Sequence, residues 1–344
     1  MPVDVLEFAE AMRRSEEYGR LRHLLLGNGF SIAYDADAFA YGRLLDEADF
    51  SELSIDARAV FKEFGTTDFE KIIEILRGAA TLLHLYPDSD RDLAARILAD
   101  ADRLKDALAE VLARRHPDFV GSLTSEEYTA ARHFLASFER IYSVNYDLLL
   151  YWTTMQDIQP TVSNNDGFGE SEDEPGAEWV TWKPMATYDS QRIFYLHGAL
   201  HLFDAGVELR KLTWNRTGIS LVDQIRGALE ENVYPLVVTE GTSRDKYSKI
   251  LHSAYLNHAM RSFSKIGGSL FIYGHSLAQN DEHILRRIEE GHIRAVFVSL
   301  YRDPDNDANL AIVERARALS AARLARNPLS VHFFDSESAQ IWRT

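Results

Sequence analysis

The sequence contains no cysteine in its 344 residues. That absence excludes disulfide bonds, zinc sites built on thiolates, iron–sulfur clusters and a cysteine nucleophile. Positive charge is also scarce, because 37 lysine and arginine residues stand against 53 aspartate and glutamate residues, for a formal net charge of -16. Binding to duplex nucleic acid requires basic surface that displaces counterions, so we expect no direct contact with nucleic acid.

Long apolar runs are missing as well. No stretch reaches the roughly 18 apolar residues of a membrane-spanning helix, and residues 1–14 lack the apolar centre of a secretory signal. We therefore expect a cytoplasmic protein that does not contact membranes. The Gly-x-Ser-x-Gly elbow of serine hydrolases is also absent. The Gly-Lys-Ser/Thr phosphate loop is absent too, so we do not expect this chain to hydrolyse ATP.

Hydrophobic residues make up 46% of the chain, which is enough for a large core. Short apolar segments, most of them rich in β-branched and aromatic residues, predict strands that are buried on both faces of a parallel sheet. These segments are 21–26, 140–144, 192–196, 234–239, 269–273, 295–300 and 329–334. We predict an α/β fold over residues 1–344, a single Rossmann-like domain with a mostly parallel sheet and helices on both faces.

A long helical segment, 39–138, is predicted as an insertion after the first βα unit. Its clearest helix covers residues 88–115 and carries charged side chains on one face. Apolar residues on the other face recur three or four positions apart, at Leu93, Ile97, Ala101, Leu104, Leu108 and Val111. Such a stripe either packs within the molecule or provides a surface for oligomerisation.

The segment 156–183 is polar and acidic, with an acidic run at 170–174. It is longer than an ordinary connection between two elements of secondary structure. We therefore predict either a lid-like loop over a functional site or a locally disordered segment.

Polar or glycine-containing clusters follow several of the predicted strands. They are Gly27–Ser31, Asn145–Asp147, His197 with Gly198, and Gly274–Leu277. Ligands of open parallel sheets bind outside the carboxyl ends of the strands, so these clusters are expected to converge on one crevice.

In this order, the clusters resemble those of the sirtuin-like family of NAD-consuming domains, in particular its bacterial antiphage-defence branch. That family has a glycine turn with a serine, an Asn-x-Asp strand end, a His-Gly strand end and a late Gly-x-Ser-Leu. The likeness covers residues 20–300, with the helical segment as an insertion. The segments 26–31 and 145–152 resemble more closely an uncharacterised bacterial family within that group.

The resemblance implies a sirtuin-like domain that hydrolyses NAD or NADP to nicotinamide and ADP-ribose. Deacetylation is not expected, because the chain lacks the cysteines of the deacetylases' zinc module and has Gly-Asn-Gly where they usually have Gly-Ala-Gly. The likeness further implies NAD as the substrate, a homo-oligomer, and a regulated role in antiphage defence, with a ring ATPase as a potential partner.

The residue types suit this chemistry. Cleavage of the nicotinamide–ribose bond builds positive charge on the ribose and needs an oriented water and a proton acceptor. We predict His197 as the base, Asn145 as the residue that holds the water or a ribose hydroxyl, and Asp147 as a residue that binds ribose, orients a neighbour or stabilises positive charge.

The glycine clusters are predicted to hold the rest of the dinucleotide. The backbone of the first turn would approach the pyrophosphate at the N-terminus of the following helix, and Ser31 would cap that helix or bind a phosphate. The late turn would shape the ribose or adenine end. The candidate binding residues are Gly27, Asn28, Gly29, Phe30, Ser31, Gly274, His275, Ser276 and Leu277.

Other interpretations stay open. Each cluster is also compatible with an ordinary turn, and the whole set with a non-catalytic module that senses NAD or ADP-ribose and acts through a partner. A dehydrogenase is less favoured because the first turn lacks the third glycine of Gly-x-Gly-x-x-Gly. We predict no metal site: His197 and His201 are four residues apart, but they follow a strand rather than lie on a helix.

Overall fold

A parallel sheet forms the centre of the protein. The computed structural model describes residues 3–86, 90–184, 191–206, 208–231, 233–239, 242–323 and 327–343. The seven strands of the sheet are β1 (Val5–Leu6), β2 (Arg22–Leu26), β3 (Arg140–Ser143), β6 (Ile193–Tyr195), β9 (Gly267–Tyr273), β10 (His292–Leu300) and β11 (Ser330–Asp335). Their order is β1-β11-β10-β9-β2-β3-β6, with parallel pairing at each step, which confirms the predicted Rossmann-like α/β fold.

Helices flank the sheet and fill the connections between its strands. The described helices are Phe8–Ser15, Gly29–Tyr34, Ala36–Phe39, Tyr41–Glu47, Ala57–Glu63, Phe69–Leu85, Arg91–Arg115, Ser125–Leu135, Leu149–Met155, Trp214–Thr217, Leu221–Glu230, Ser243–His252, Ala254–Phe263, Glu282–Glu290 and Asp307–Ala322. None of these helices is both long enough and apolar enough to cross a membrane.

The inserted segment between β2 and β3 is helical and packs mainly within the molecule. Its longest helix, Arg91–Arg115, begins after Asp90, whose side chain accepts a hydrogen bond from the N–H of Leu93 at 3.0 Å. The predicted apolar stripe is buried over residues 101–111, whereas Leu93 is exposed and Ile97 is half-buried. The buried half of the stripe therefore belongs to the core of the protein.

A second, antiparallel sheet was not predicted. Its strands are β4 (Phe168–Glu170), β5 (Trp179–Trp182), β8 (Leu209–Leu212) and β7 (Leu202–Asp204), in that order. Two of these strands lie within the acidic segment 156–183, so that segment is partly a sheet rather than only a loop. A buried ion pair between Lys211 and Asp166, at 2.5 Å, ties the start of the segment to β8.

The predicted strand at 234–239 is wrong. This segment is buried and extended, but Val237 forms only an isolated antiparallel bridge to Gly198. Its backbone N–H groups donate to two places: that of Leu236 to the carbonyl of Leu202, the first residue of β7, and that of Val238 to the carbonyl of His197 in the loop after β6. An apolar pattern indicates that a segment is buried, but it does not indicate which residues form hydrogen bonds with its backbone.

Strand β2 pairs with β3 on one side and with β9 on the other. The chain leaves the sheet in opposite directions on these two sides, so the topological switch point of the sheet lies here. At this switch point the turns after β2 and β9 pack backbone against backbone. A Cβ atom on Gly29 would lie 2.4 Å from the Cα of Gly274, and one on Gly274 would lie 2.5 Å from the Cα of Gly29. Gly274 also has a φ of +66°, which favours glycine.

This contact predicts a large cost for a single added methyl group. We expect Gly274→Ala to lower the free energy of unfolding by about 3 kcal/mol or more, because it combines steric overlap with an unfavourable φ. Denaturant unfolding measures the change.

Gly78→Ala is the matched control, because Gly78 lies in a helix with open space around its Cβ position. We expect this variant to raise stability by about 1 kcal/mol. Equal effects of the two substitutions would contradict the close contact between the turns.

Candidate active site

A cavity of about 780 Å³ opens at the carboxyl ends of the parallel strands. Residues that follow β2, β3, β6, β9, β10 and β11 form its wall together with residues of the helical insertion. The predicted convergence of the strand-end clusters on one crevice is therefore confirmed. The predicted site residues on this wall are Asn28, Gly29, Asn145, Asp147, His197, Gly274, His275 and Ser276.

The other predicted residues are buried behind the wall. They are Gly27, Phe30, Ser31 and Leu277. Phe30 packs against the ring of Trp342, at 4.9 Å between centroids, and the N–H of Leu277 donates to Nδ1 of His275 at 2.9 Å. These residues shape the cavity through packing and hydrogen bonds rather than by facing it.

Most backbone N–H groups of the glycine turn after β2 already donate hydrogen bonds to other parts of the protein or to the turn itself. The N–H groups of Gly27 and Gly29 donate to carbonyl oxygens of Tyr273 and Gly274, at 2.9 Å each. Those of Phe30 and Ser31 donate to carbonyl oxygens within the turn, at 3.0 Å each. The helix Gly29–Tyr34 begins at this turn, as expected, but the turn offers a pyrophosphate close backbone approach rather than the free N–H donors that we expected.

Ser31, Asn145 and Asp147 form one hydrogen-bonded group. The hydroxyl of Ser31 donates to Oδ2 of Asp147 at 2.5 Å, so its oxygen accepts from Nδ2 of Asn145 at 3.1 Å. Ser31 thus neither caps the helix nor reaches the cavity, which corrects both roles that we predicted for it. Burial raises the pKa of Asp147, while the hydrogen bonds from Ser31 and from the N–H of Leu149 oppose that rise.

This group fixes the orientation of the Asn145 amide. Ser31 has a single hydrogen and gives it to Asp147, so Asn145 must present its NH₂ group to Ser31. The amide oxygen of Asn145 is then buried without a partner among the described residues, on a side chain that lines the cavity. A buried acceptor without a donor is costly, so this atom is suited to a donor on a bound molecule.

His197 lies opposite another histidine from a distant part of the chain. Its Nε2 is 3.0 Å from Nε2 of His283 and 3.8 Å from Oδ1 of Asp281. Burial lowers the pKa of His197 well below its usual value, and burial lowers that of His283 to about 3. Both rings are therefore neutral at pH 7, and the carboxylate of Asp281 is placed to stabilise positive charge on His197.

A buried lysine holds two of the cavity's carboxylates. Nζ of Lys246 is 2.6 Å from Oε2 of Glu70 and 2.8 Å from Oδ1 of Asp281, and the lysine is fully buried. Burial lowers the pKa of Lys246, but these carboxylates outweigh burial and raise it above its ordinary value. Burial likewise opposes ionisation of Asp281, yet Lys246 and the hydrogen bond from His275 hold its pKa well below the usual range.

His275 is held in one tautomer. Its Nδ1 accepts from the N–H of Leu277, so its proton lies on Nε2, which donates to Oδ2 of Asp281 at 3.1 Å. The late glycine turn therefore helps to fix the carboxylate that faces His197.

Sequence reasoning missed Glu70, Lys246 and His283. Lys246 and His283 carried no recognisable spacing, because tertiary packing alone brings their helices together. Glu70 did carry a signal: it lies on the buried face of an amphipathic helix, beside Phe69 and Ile73, where a carboxylate requires a partner. It accepts hydrogen bonds from Tyr146 at 2.7 Å and Asn280 at 3.0 Å.

His201 is not part of this site. Its ring stacks on Tyr151, at 4.8 Å between centroids, and contacts Tyr195 at 5.1 Å. It does not line the cavity that holds His197. The four-residue spacing between the two histidines therefore does not form a common ligand set.

The buried ion pair of Glu70 and Lys246 predicts a strong energetic coupling. We expect Glu70→Gln and Lys246→Met each to lower the free energy of unfolding by about 3–5 kcal/mol, since the first removes one of the two carboxylates that hold the buried ammonium and the second leaves both carboxylates buried without it. The double variant should cost much less than the sum of the two single changes. Denaturant unfolding of the four proteins measures this coupling.

Lys71 and Glu74 provide a matched control on the same helix. Their charged groups are 2.9 Å apart, but both side chains are exposed to solvent to a substantial degree. We expect the same substitutions there to cost at most about 0.5 kcal/mol. A similar cost at both pairs would show that burial does not strengthen the pair of Glu70 and Lys246.

The comparisons with known proteins identify a family but not an activity. No curated protein matches the chain. The family described as "Domain of unknown function (DUF4917)" matches residues 24–342, a range that contains all four strand-end clusters as well as Glu70, Lys246 and His283. The match spans most of the chain, and the protein therefore belongs to the DUF4917 family.

Proposed function

We propose that this protein is an NAD(P) glycohydrolase, which uses water to cleave the nicotinamide–ribose bond and releases nicotinamide and ADP-ribose. The observation that carries the proposal is the pairing of Asn145 and His197 at the ends of neighbouring strands. Ser143 and Tyr195 are register partners on β3 and β6, and Asn145 and His197 each lie two residues further along. An unsatisfied acceptor and a neutral imidazole thus share one wall of the cavity.

The reaction assigns a role to each group. The amide oxygen of Asn145 accepts a hydrogen bond from the attacking water or from a ribose hydroxyl. As the water oxygen bonds to the anomeric carbon, the glycosidic electron pair moves to the nicotinamide nitrogen, which leaves uncharged. The water proton passes to His197, and Asp281 stabilises the imidazolium that forms.

The nitrogen of His197 that serves as the base is Nδ1. Its Nε2 faces His283, and no hydrogen bond to its Nδ1 is formed within the described part of the chain. In the active tautomer, Nε2–H of His197 donates to Nε2 of His283. The Nδ1–H of His283 then donates to the hydroxyl oxygen of Ser243, 3.1 Å away, and Nδ1 of His197 is left with a free lone pair.

The charges of the cavity suit the reacting end of NAD. Asp147, Glu70 and Asp281 place carboxyl groups around the Asn145–His197 wall. Positive charge on nicotinamide, and on the ribose as the bond breaks, is stabilised by such groups in a site of low dielectric constant.

The opposite end of the cavity suits the rest of a dinucleotide. The wall extends across β2 and β9 to residues at the ends of β10 and β11, including Ser299, Tyr301 and Glu337. Six neighbouring strands contribute to it, and a spacing of about 4.8 Å between strands gives a span of about 24 Å. Arg343 adds a guanidinium group to the wall, which suits a pyrophosphate.

Constant hydrolysis would deplete a cell of NAD, so the proposal includes control of the activity. The helical insertion reaches the site through Glu70, which makes it a route by which assembly or a partner acts on the cavity. An antiphage role, a homo-oligomer and a ring ATPase partner remain predictions that rest on the sirtuin-like resemblance.

Turnover of NAD by the purified protein tests the function. We expect nicotinamide and ADP-ribose to appear in equal amounts, followed by chromatography. Asn145→Ala and His197→Ala should each lower the rate by roughly 10²-fold or more, because they remove the water-holding acceptor and the base.

Asn164→Ala and His252→Ala are the matched controls, since both side chains are exposed and neither lines the cavity. They should retain the activity of the unmodified protein. Binding of NAD by calorimetry without any turnover would contradict a hydrolase and favour the sensing module. If the purified protein neither binds NAD nor turns it over, the strand-end clusters are structural turns only.

A further inference from the structure

The two histidines at the base of the cavity form a ligand set as well as a hydrogen-bonded pair. Nε2 of His197 and Nε2 of His283 face each other at 3.0 Å, and Oδ1 of Asp281 lies 3.8 Å from Nε2 of His197. All three ligand atoms lie within 4.8 Å of one another on buried side chains. Two ligand atoms on a tetrahedral zinc ion are about 3.3 Å apart, so the two nitrogens would separate slightly and the carboxylate oxygen would move closer to seat the ion.

The hydrogen-bond partners of His283 and Asp281 are those of metal ligands. Ligating histidines donate the other ring N–H to an oxygen, and ligating carboxylates are themselves hydrogen-bonded. Nδ1 of His283 is 3.1 Å from the hydroxyl oxygen of Ser243, and Oδ2 of Asp281 is 3.1 Å from Nε2 of His275. In the tautomer described above, Nε2 of His283 already presents its lone pair to His197.

We propose that His197, His283 and Asp281 bind Zn²⁺ through Nε2, Nε2 and Oδ1, and that the bound ion switches the hydrolase off. Two imidazoles and one carboxylate are a common zinc ligand set and leave a fourth position for water. The proposal differs from our sequence-based expectation of no metal, because His283 and Asp281 only join His197 once the chain has folded.

The neighbouring lysine does not exclude the ion. Nζ of Lys246 is 2.8 Å from Oδ1 of Asp281, but a carboxylate oxygen has two lone pairs and accepts two partners. Lys246 also pairs with Glu70, so the lysine and its two carboxylates together carry one net negative charge. This group as a whole therefore does not repel a divalent cation.

Zinc would stop catalysis by fixing the wrong tautomer of His197. An imidazole that binds a metal through Nε2 carries its proton on Nδ1, and Nδ1 is the atom that must accept a proton from water. The bound ion and the catalytic base therefore exclude each other. This inhibitory half of the inference rests on the proposed function, whereas the zinc site itself does not.

The binding half is tested on the full-length protein after treatment with a chelator. We expect calorimetry with Zn²⁺ alone to show one site per chain, and Co²⁺ to give the visible absorption of a tetrahedral nitrogen–oxygen site. His283→Gln and Asp281→Asn should each weaken Zn²⁺ binding by about 100-fold or more. Loss of an outer-shell partner costs up to about 100-fold in metal affinity, and loss of a direct ligand should cost at least as much. His252→Gln, at an exposed histidine, should bind as the unmodified protein does.

Thermal unfolding checks that the variants are folded, and the titration of the unmodified protein stands by itself if they are not. No stoichiometric binding of Zn²⁺ or Co²⁺ by the unmodified protein would overturn the site. Equal affinity in folded His283→Gln and His252→Gln would overturn it as well.

Turnover of NAD tests the inhibitory half. We expect Zn²⁺ to lower the rate by roughly 10²-fold, which is the contribution of a general base, with half of the effect at the concentration that half-fills the site. Loss of turnover on chelation would overturn inhibition in favour of a catalytic zinc. Zinc binding at these ligands without turnover in either state would overturn the proposed function and the inhibition together, and would leave the zinc site standing.

Discussion

The close backbone contact between Gly29 and Gly274 is the constraint on which the site depends. It joins the turns after β2 and β9 at the point where the chain leaves the sheet in opposite directions. A side chain at Gly29 or Gly274 would push the two turns apart. The two halves of the cavity wall would then no longer enclose a single cavity. The geometry of the strand ends thus places Asn145 and His197 on one side and Ser299 and Tyr301 on the other.

The second organising interaction is ionic. Lys246 joins Glu70 from the helical insertion to Asp281, which faces His197 in its pair with His283. A buried ammonium held by two carboxylates is stable only while both remain in place. The insertion is therefore tied to the electrostatic environment of His197, and a displacement of its helix would change the field at the proposed base. This link gives a physical basis for control of the site from a distance.

Much of the fold was predictable from the sequence, and the site was predictable in part. Six of the seven parallel strands were found because apolar segments and strand-end clusters are local signals, whereas the two-residue β1 is too short to give one. Asn145 and His197 became candidates because they follow β3 and β6. Three features were not local. The antiparallel sheet is built from short strands of mixed polarity, the segment 234–239 shows burial without showing its partner, and the Lys246 ion pairs form only when distant helices pack. The role of Ser31 was missed because its acceptor lies 116 positions along the chain.

The proposed activity requires a dinucleotide to lie across the switch point with its nicotinamide end at β3 and β6. The most direct test is a crystal structure of the Asn145→Ala variant with NAD bound, since slowed cleavage should preserve the substrate. We predict that the pyrophosphate lies against the glycine turns, the nicotinamide riboside beside His197 and the adenosine beyond β9. A dinucleotide bound in the reverse direction, or bound outside this cavity, would contradict the proposed roles of Asn145 and His197.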